Sequence, residues 1–247
     1  MNIKILQVDV GSGTQWGGEL APRVIREICI PSVQAYAAKH GYQYQLITES
    51  SYSAAIGPLN FLATEKKHYA FERYLNLKTE ADAIVYLDND IYVSKLAQQL
   101  PDISGILAVY EPGYTNSRRI FVSENGLDVN REYANSGMIM ADRDSACHLS
   151  EYMVDRARRH DKAKGKNTDN MMFNEYILAN PERCRALAEQ WNYMPMLAGS
   201  SLGLKSNFMH LVGTAGKKLL DQLVTTGRPM DELLEAISSG RLHLKIK

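Results

Sequence analysis

At 247 residues, with 45% hydrophobic and 23% charged positions, the chain has the make-up of an ordinary soluble globule and enough apolar residues for one large α/β domain or two small ones. Lys plus Arg equals Asp plus Glu at 28 each, so no net field favours nucleic acid, and no apolar run nears the ~20 residues that span a bilayer. Met1-Asn2-Ile3-Lys4 shows no signal-peptide apolar stretch, and the three cysteines, Cys29, Cys147 and Cys184, lie far apart; both features imply reduced, buried thiols in a cytoplasmic protein, free or peripheral at a membrane.

Ile3 to Val10 alternates and then fills with apolar residues, which predicts a first strand. It ends in Asp9-Val10-Gly11-Ser12-Gly13-Thr14, a tight polar turn where backbone can approach a ligand. Pro22 to His40 carries Val24, Ile25, Ile28, Val33, Tyr36 and Ala37 at helical intervals, with Pro31 marking a break or a new first turn. Gly41 ends that helix, and Tyr42 to Ile47 alternates as a second strand. Strand, helix and strand in this order form a βαβ unit, which argues for a parallel sheet.

Ser50 to Pro58 reads as a polar connection and Leu62 to Leu77 as a helix, with Lys66 and Lys67 near its start. That helix leads into Ala83-Ile84-Val85-Tyr86-Leu87-Asp88-Asn89-Asp90, an unbroken apolar run that stops at two carboxylates. Such a run predicts a strand buried on both faces. In open α/β sheets ligands bind beyond the carboxyl ends of the strands. Asp88 and Asp90, two apart, would lean to one face in extended chain, and convergent carboxylates suit a hard cation such as Mg²⁺ or Mn²⁺. The same residues also suit a plain Asp/Asn turn.

Ile106 to Val109 predicts a short strand, and Glu111 to Asn130 has turn chemistry throughout, the mark of a long irregular insert beside a site. Tyr133-Ala134-Asn135-Ser136-Gly137 is a polar turn into an apolar strand, and Asp144 to Arg159 predicts a helix. Lys162 to Lys166 reads as a basic loop. Thr168-Asp169-Asn170 precedes an apolar helix, Met171 to Leu178, for which Thr168 or Asp169 is a ready N-cap. Trp191 to Pro195 is an aromatic turn. Phe208 to Gly213 predicts a last strand carrying His210, and Leu219 to Leu223 and Met230 to Ile237 predict terminal helices.

Taken in order, these pieces resemble the GT-A fold glycosyltransferases, most closely the glycogenin-like, family 8 arrangement. The matching residues are Lys67, Asp88-Asn89-Asp90, Asn135-Ser136-Gly137, Asp169-Asn170, and His210-Leu-Val-Gly213-Thr-Ala-Gly216-Lys217. Three features depart from that pattern: Lys217 lies one residue further from the histidine and lacks a following Pro-Trp, Asn170 replaces a glutamine, and Lys67 stands further ahead of the Asp-x-Asp. The resemblance implies one domain over residues 1–247, with a mostly parallel central sheet flanked by helices and the C-terminal helices of about 218–247 packed on it.

It also implies a metal-dependent transferase that moves a hexose from a nucleotide sugar, a UDP-hexose by family habit, to a carbohydrate or lipid-linked acceptor. Asp88, Asp90 and His210 would then hold Mn²⁺ or Mg²⁺. Asp9, Gly11, Lys67, Asp88, Asn89, Gly213 and Lys217 would contact the donor, and Asn135, Asp169 and Asn170 would face the reacting sugar. Family likeness favours retention of configuration. For His210 the plainer reading is a hydrogen-bonded core histidine, and for Lys67 a solvated helix lysine. Two rivals stand beside this reading. An S-adenosylmethionine-dependent methyltransferase would use Gly11-Ser12-Gly13, and a non-catalytic carbohydrate-binding relative would have lost metal and nucleotide.

Overall fold

The structure, a computed structural model, describes residues 1–10, 23–49, 68–111, 113, 115–158, 169–194, 205–211 and 225–241. The Gly11-Ser12-Gly13 turn, the 50–58 connection, the start of the 62–77 helix, the 162–166 loop, Thr168 and the 219–223 helix lie outside them. Eight strands and six α-helices are described: β1 (Ile3–Val8), α1 (Ile30–His40), β2 (Gln43–Ile47), α2 (His68–Leu75), β3 (Ala83–Leu87), β4 (Ile91–Val93), β5 (Ile106–Ala108), α3 (Asn116–Glu124), β6 (Met138–Asp142), α4 (Arg143–Arg158), α5 (Asp169–Ala179), β7 (Cys184–Ala186), β8 (Phe208–His210) and α6 (Met230–Ser238).

Six strands form one sheet in the order β2-β1-β3-β6-β5-β7, and β4 and β8 form a separate antiparallel ribbon. The β1–β2 pairing is parallel, as the βαβ pattern predicts, and so are the β1–β3 and β5–β7 pairings; β7 is not expected from sequence. β6 runs against both neighbours, with Leu87 opposite Met138. Its beginning, and so the Asn135-Ser136-Gly137 turn, therefore sits at the edge where β1 and β3 end. β5 runs with β3, so its carboxyl end lies at that same edge.

The alternation of β3 explains how the sheet is covered. Ile84 and Tyr86 face one core with Leu6, Leu149, Met172 and Phe173. Ala83, Val85 and Leu87 face the other with Val33, Tyr36, Met138 and Trp191. Each residue of β3 is fully buried, as an unbroken apolar run requires.

Pro31 falls in the first turn of α1, directly after a π-helical turn, Ile25–Cys29, in which Ile30 N–H reaches the Ile25 carbonyl. A proline at that position needs no backbone donor, so the helix restarts there without interruption. Gly41 closes α1 in the left-handed conformation (φ 70°), where the lack of a Cβ removes the strain. One expectation is corrected: residues 111–130 are not turns throughout, because Asn116–Glu124 is helical. Thr115 caps it by accepting from Arg118 N–H, and the turn residues Asn125-Gly126 mark its end. Cys29 is buried but Cys147 and Cys184 are only half-buried, and all three are free thiols.

Candidate active site

Asp88, Asp90 and His210 each bring one ligand atom within 4.8 Å of the others. A turn brings them together, not the extended geometry expected from sequence: Ile91 N–H donates to the Asp88 carbonyl at 3.2 Å, reversing the chain between β3 and β4. The turn reading and the cluster reading of this stretch therefore both hold. His210 Nε2 lies 3.2 Å from Asp90 Oδ1 and 3.5 Å from Asp88 Oδ2. Neighbouring ligands around one ion at about 2.1 Å stand roughly 3 Å apart, so this spacing fits a small divalent cation. The donor set, two carboxylates and an imidazole, suits Mn²⁺ or Mg²⁺ better than a thiophilic metal.

Burial opposes charge on His210, but Asp90, then Asp88 and Glu111, outweigh it and hold its pKa above the ordinary value. Burial pushes the Asp88 carboxyl up, against the pull of Arg73 and His210. The ring's other nitrogen, Nδ1, has no hydrogen-bond partner among the described residues, and neither has Asn192 Oδ1.

Gly137 makes this cluster possible. A Cβ there would lie 2.7 Å from Asp88 Oδ2 and 2.9 Å from His210 Nδ1, and closer still to the ring's Cε1. No side chain fits, so the glycine ahead of β6 answers to space and not to backbone conformation.

Arg73 is the functional candidate that the sequence reading passed over. It is 2% exposed on α2. Nη1 donates to Asp88 Oδ1 at 3.2 Å and to the Ser136 carbonyl at 2.8 Å. Nη2 donates to Ser136 Oγ at 2.9 Å and to Asp169 Oδ2. Its guanidinium lies over the rings of Tyr74 and Tyr86 at 4.7 and 5.0 Å, and Tyr86 OH donates to Asp88 Oδ1. One cation thus joins the turn after β3, the turn before β6 and the start of α5. An arginine within an aromatic helix leading straight to the Asp-x-Asp strand was the available signal.

Glu111 was missed too. It ends the apolar run Ile106 to Tyr110 that contains β5, as Asp88 ends the run that contains β3, at the same sheet edge. Its carboxylate accepts from Thr115 OH at 2.6 Å and from the amides of Asn135 and Asn170 at 3.3 and 3.4 Å. Burial pushes its pKa up, and those donors oppose the shift.

Both amides in that trio are engaged within the protein. Asn135 Oδ1 accepts from Gly137 N–H at 2.9 Å and Asn192 Nδ2 at 3.1 Å, and Asn170 Oδ1 accepts from Ser136 N–H at 2.7 Å. Asp169 differs: Arg73 and Ser136 hold Oδ2, while the side chain stays 26% exposed. Asp9 stands at the end of β1, where Asn89 Nδ2 reaches Oδ1 at 3.3 Å and Arg26 Nε reaches Oδ2 at 3.1 Å. Asp9 and Asn89 are therefore neighbours. Gly11, Lys67, Gly213 and Lys217 lie outside the described residues.

No family model and no curated protein matches this chain in sequence. Structural likeness is clear. A glycosyltransferase involved in glycosylation of the major capsid of PBCV-1 matches 90% of this chain over its entire length, at TM-score 0.57 and 16% identity. The fold is that of the GT-A glycosyltransferases. A galactosyltransferase, LgtC, solved with donor and acceptor sugar analogues, shares this GT-A fold across 95% of the present chain and 100% of its own, at TM-score 0.51 and 13% identity. Mouse xyloside xylosyltransferase 1 in its apo form matches 85% of this chain and 97% of its own, at TM-score 0.50 and 12% identity. Among the described residues, no helix is long and apolar enough to cross a membrane.

Proposed function

We propose that this chain, a single domain over residues 1–247, is a metal-dependent glycosyltransferase that moves a hexose from a UDP-sugar to a hydroxyl of a glycan or lipid-linked acceptor, with retention. The observation that carries the reading is the Asp88, Asp90 and His210 cluster at the carboxyl edge of a GT-A sheet. In the transfer, the bond between the sugar's anomeric carbon and the diphosphate oxygen breaks. A bond to the acceptor oxygen forms, and the hydroxyl proton leaves with the nucleoside diphosphate. A Mn²⁺ or Mg²⁺ ion held by the cluster supplies charge neutralisation of the departing diphosphate.

The chain's own residues divide the remaining work. Asp9, steadied by Arg26 and Asn89, takes the base and ribose, with Gly11 beside it in sequence. Lys67, Gly213 and Lys217 supply further donor contacts, the lysines as point charges on phosphate. Arg73 neutralises one oxygen of Asp88 and one of Asp169. It thereby leaves Asp88 Oδ2 for the cation and the outer oxygen of Asp169 for the reacting sugar. Asn135 and Asn170, with Glu111 between them, hold the turn that carries Gly137 against the start of α5 that carries Asp169. Galactose and xylose transfer by two structural neighbours supports a sugar nucleotide as donor. A cytoplasmic location, free or peripheral at a membrane, completes the reading.

The test is a transfer and donor-hydrolysis assay over UDP-glucose, UDP-galactose and UDP-xylose, with Mn²⁺ and with EDTA. Turnover should need the metal, and Asp90→Asn should lower it by about 10²-fold or more while the protein stays folded. Undiminished turnover in EDTA or in the variant would sink the metal assignment. A metal-independent reaction with S-adenosylmethionine would move the site to Gly11-Ser12-Gly13.

A further inference from the structure

Two of the three clustered ligands lie off the main sheet. Asp90 precedes β4 and His210 ends β8, with Ile91 opposite His210 and Leu211 N–H donating to the Asp90 carbonyl at 3.1 Å. Asp88 directly follows β3 of the main sheet, where its N–H donates to the Gly137 carbonyl at 2.7 Å. The geometry of the cluster therefore depends on how the β4–β8 ribbon is held against that sheet.

One face of the ribbon, Ile91, Val93 and Phe208, packs on Val85, Leu87 and Met138. The other face, Tyr92 and Met209, packs on Leu233, Leu234 and Ile237 of α6. Inside this second contact sits Glu235, 7% exposed. Its carboxylate accepts from Tyr92 OH at 2.9 Å, Ser94 OH at 3.0 Å and Lys95 N–H at 3.0 Å. All three donors are neutral, and all belong to β4 or the two residues after it. Ser206 N–H to the Ser238 carbonyl, 2.7 Å, ties α6 to the chain entering β8.

A buried carboxylate gives up hydration that its donors must replace, and an apolar residue would seal a helix–ribbon contact without that exchange. Directed bonds supply what apolar packing does not: they resist sliding. We infer that Glu235 is a positioning residue of the metal centre, locking the ribbon in the place that brings Asp90 and His210 to Asp88. The inference rests on the metal reading above and extends it to the C-terminal helix.

The experiment compares wild type with Tyr92→Phe, Glu235→Gln and Glu235→Ala in two measurements. The first is amide hydrogen exchange on metal-free protein; the second is Mn²⁺ affinity by calorimetry. In Glu235→Ala the His210 and Leu211 amides should lose about tenfold more protection than those of β3. Mn²⁺ affinity should fall by about 10- to 100-fold, the range for outer-shell residues. The two milder variants, which keep the fold if alanine does not, should fall between wild type and alanine. Loss of protection equal in ribbon and β3, or unchanged ribbon protection and Mn²⁺ affinity, overturns the inference. Failure of the wild type to bind Mn²⁺ overturns the metal reading instead, and the exchange comparison still decides whether Glu235 holds the ribbon.

Discussion

Arg73 holds Asp88 and Asp169 apart from each other and bound to one cation, so its removal is the severest single change at the site. Arg73→Met should cost about 3–5 kcal/mol, because it takes from two part-buried carboxylates the guanidinium they share; chemical denaturation checks this. Arg73→Lys keeps a charge but not the fork that reaches both acids, and should restore only part of that loss. His210 gives a pH signature. Its folded pKa lies above 6.5, so in metal-free protein its contribution to stability is complete below that value and is lost as pH rises through the raised one. A metal needs the neutral ring, so Mn²⁺ should stabilise more as pH rises over the same window. Melting curves of wild type and His210→Gln, with and without Mn²⁺, isolate both trends. Equal pH profiles in the two proteins would rule out the histidine as their source.

Helix α3 shows how an element and the site share one residue. Thr115 caps the helix by accepting from Arg118 N–H at 3.2 Å and donates its hydroxyl to Glu111 at 2.6 Å. Thr115→Ala should cost about 1 kcal/mol for the cap, and roughly 1–3 kcal/mol more for leaving a buried carboxylate short of a donor. Thr115→Ser should recover most of it, and urea midpoints rank the three proteins. The Asn-Ser-Gly turn is set the same way from several sides. Asn192, Glu111 and Arg73 approach it from three separate elements, and Gly137 removes the side chain that would block the ligands. Sequence reading found the turn because its residues are adjacent. It missed the three that hold it because each lies tens of residues away along the chain.

Across the whole molecule, binding should appear as added stability. A nucleotide at ~100 times its dissociation constant adds about 2.7 kcal/mol, and a chain of this size melts roughly 2–4 °C higher per kcal/mol. UDP with Mn²⁺ should therefore raise the melting temperature, with GDP and S-adenosylmethionine as the comparison arms. A shift with UDP that ignores Mn²⁺ would separate nucleotide binding from the metal cluster.

Periodicity and composition by themselves determined the βαβ start, the doubly buried β3 and the carboxylates placed at its end. Burial on both faces leaves an unbroken apolar run in the sequence, and a strand's end is marked by the first charge. Tertiary structure alone decided which way β6 runs, which elements reach the cluster, and that Arg73 supplies the buried charge there. Antiparallel pairing, packing of a distant helix and neutralisation of two acids by one guanidinium are contacts between residues far apart in the chain, and no local pattern encodes them.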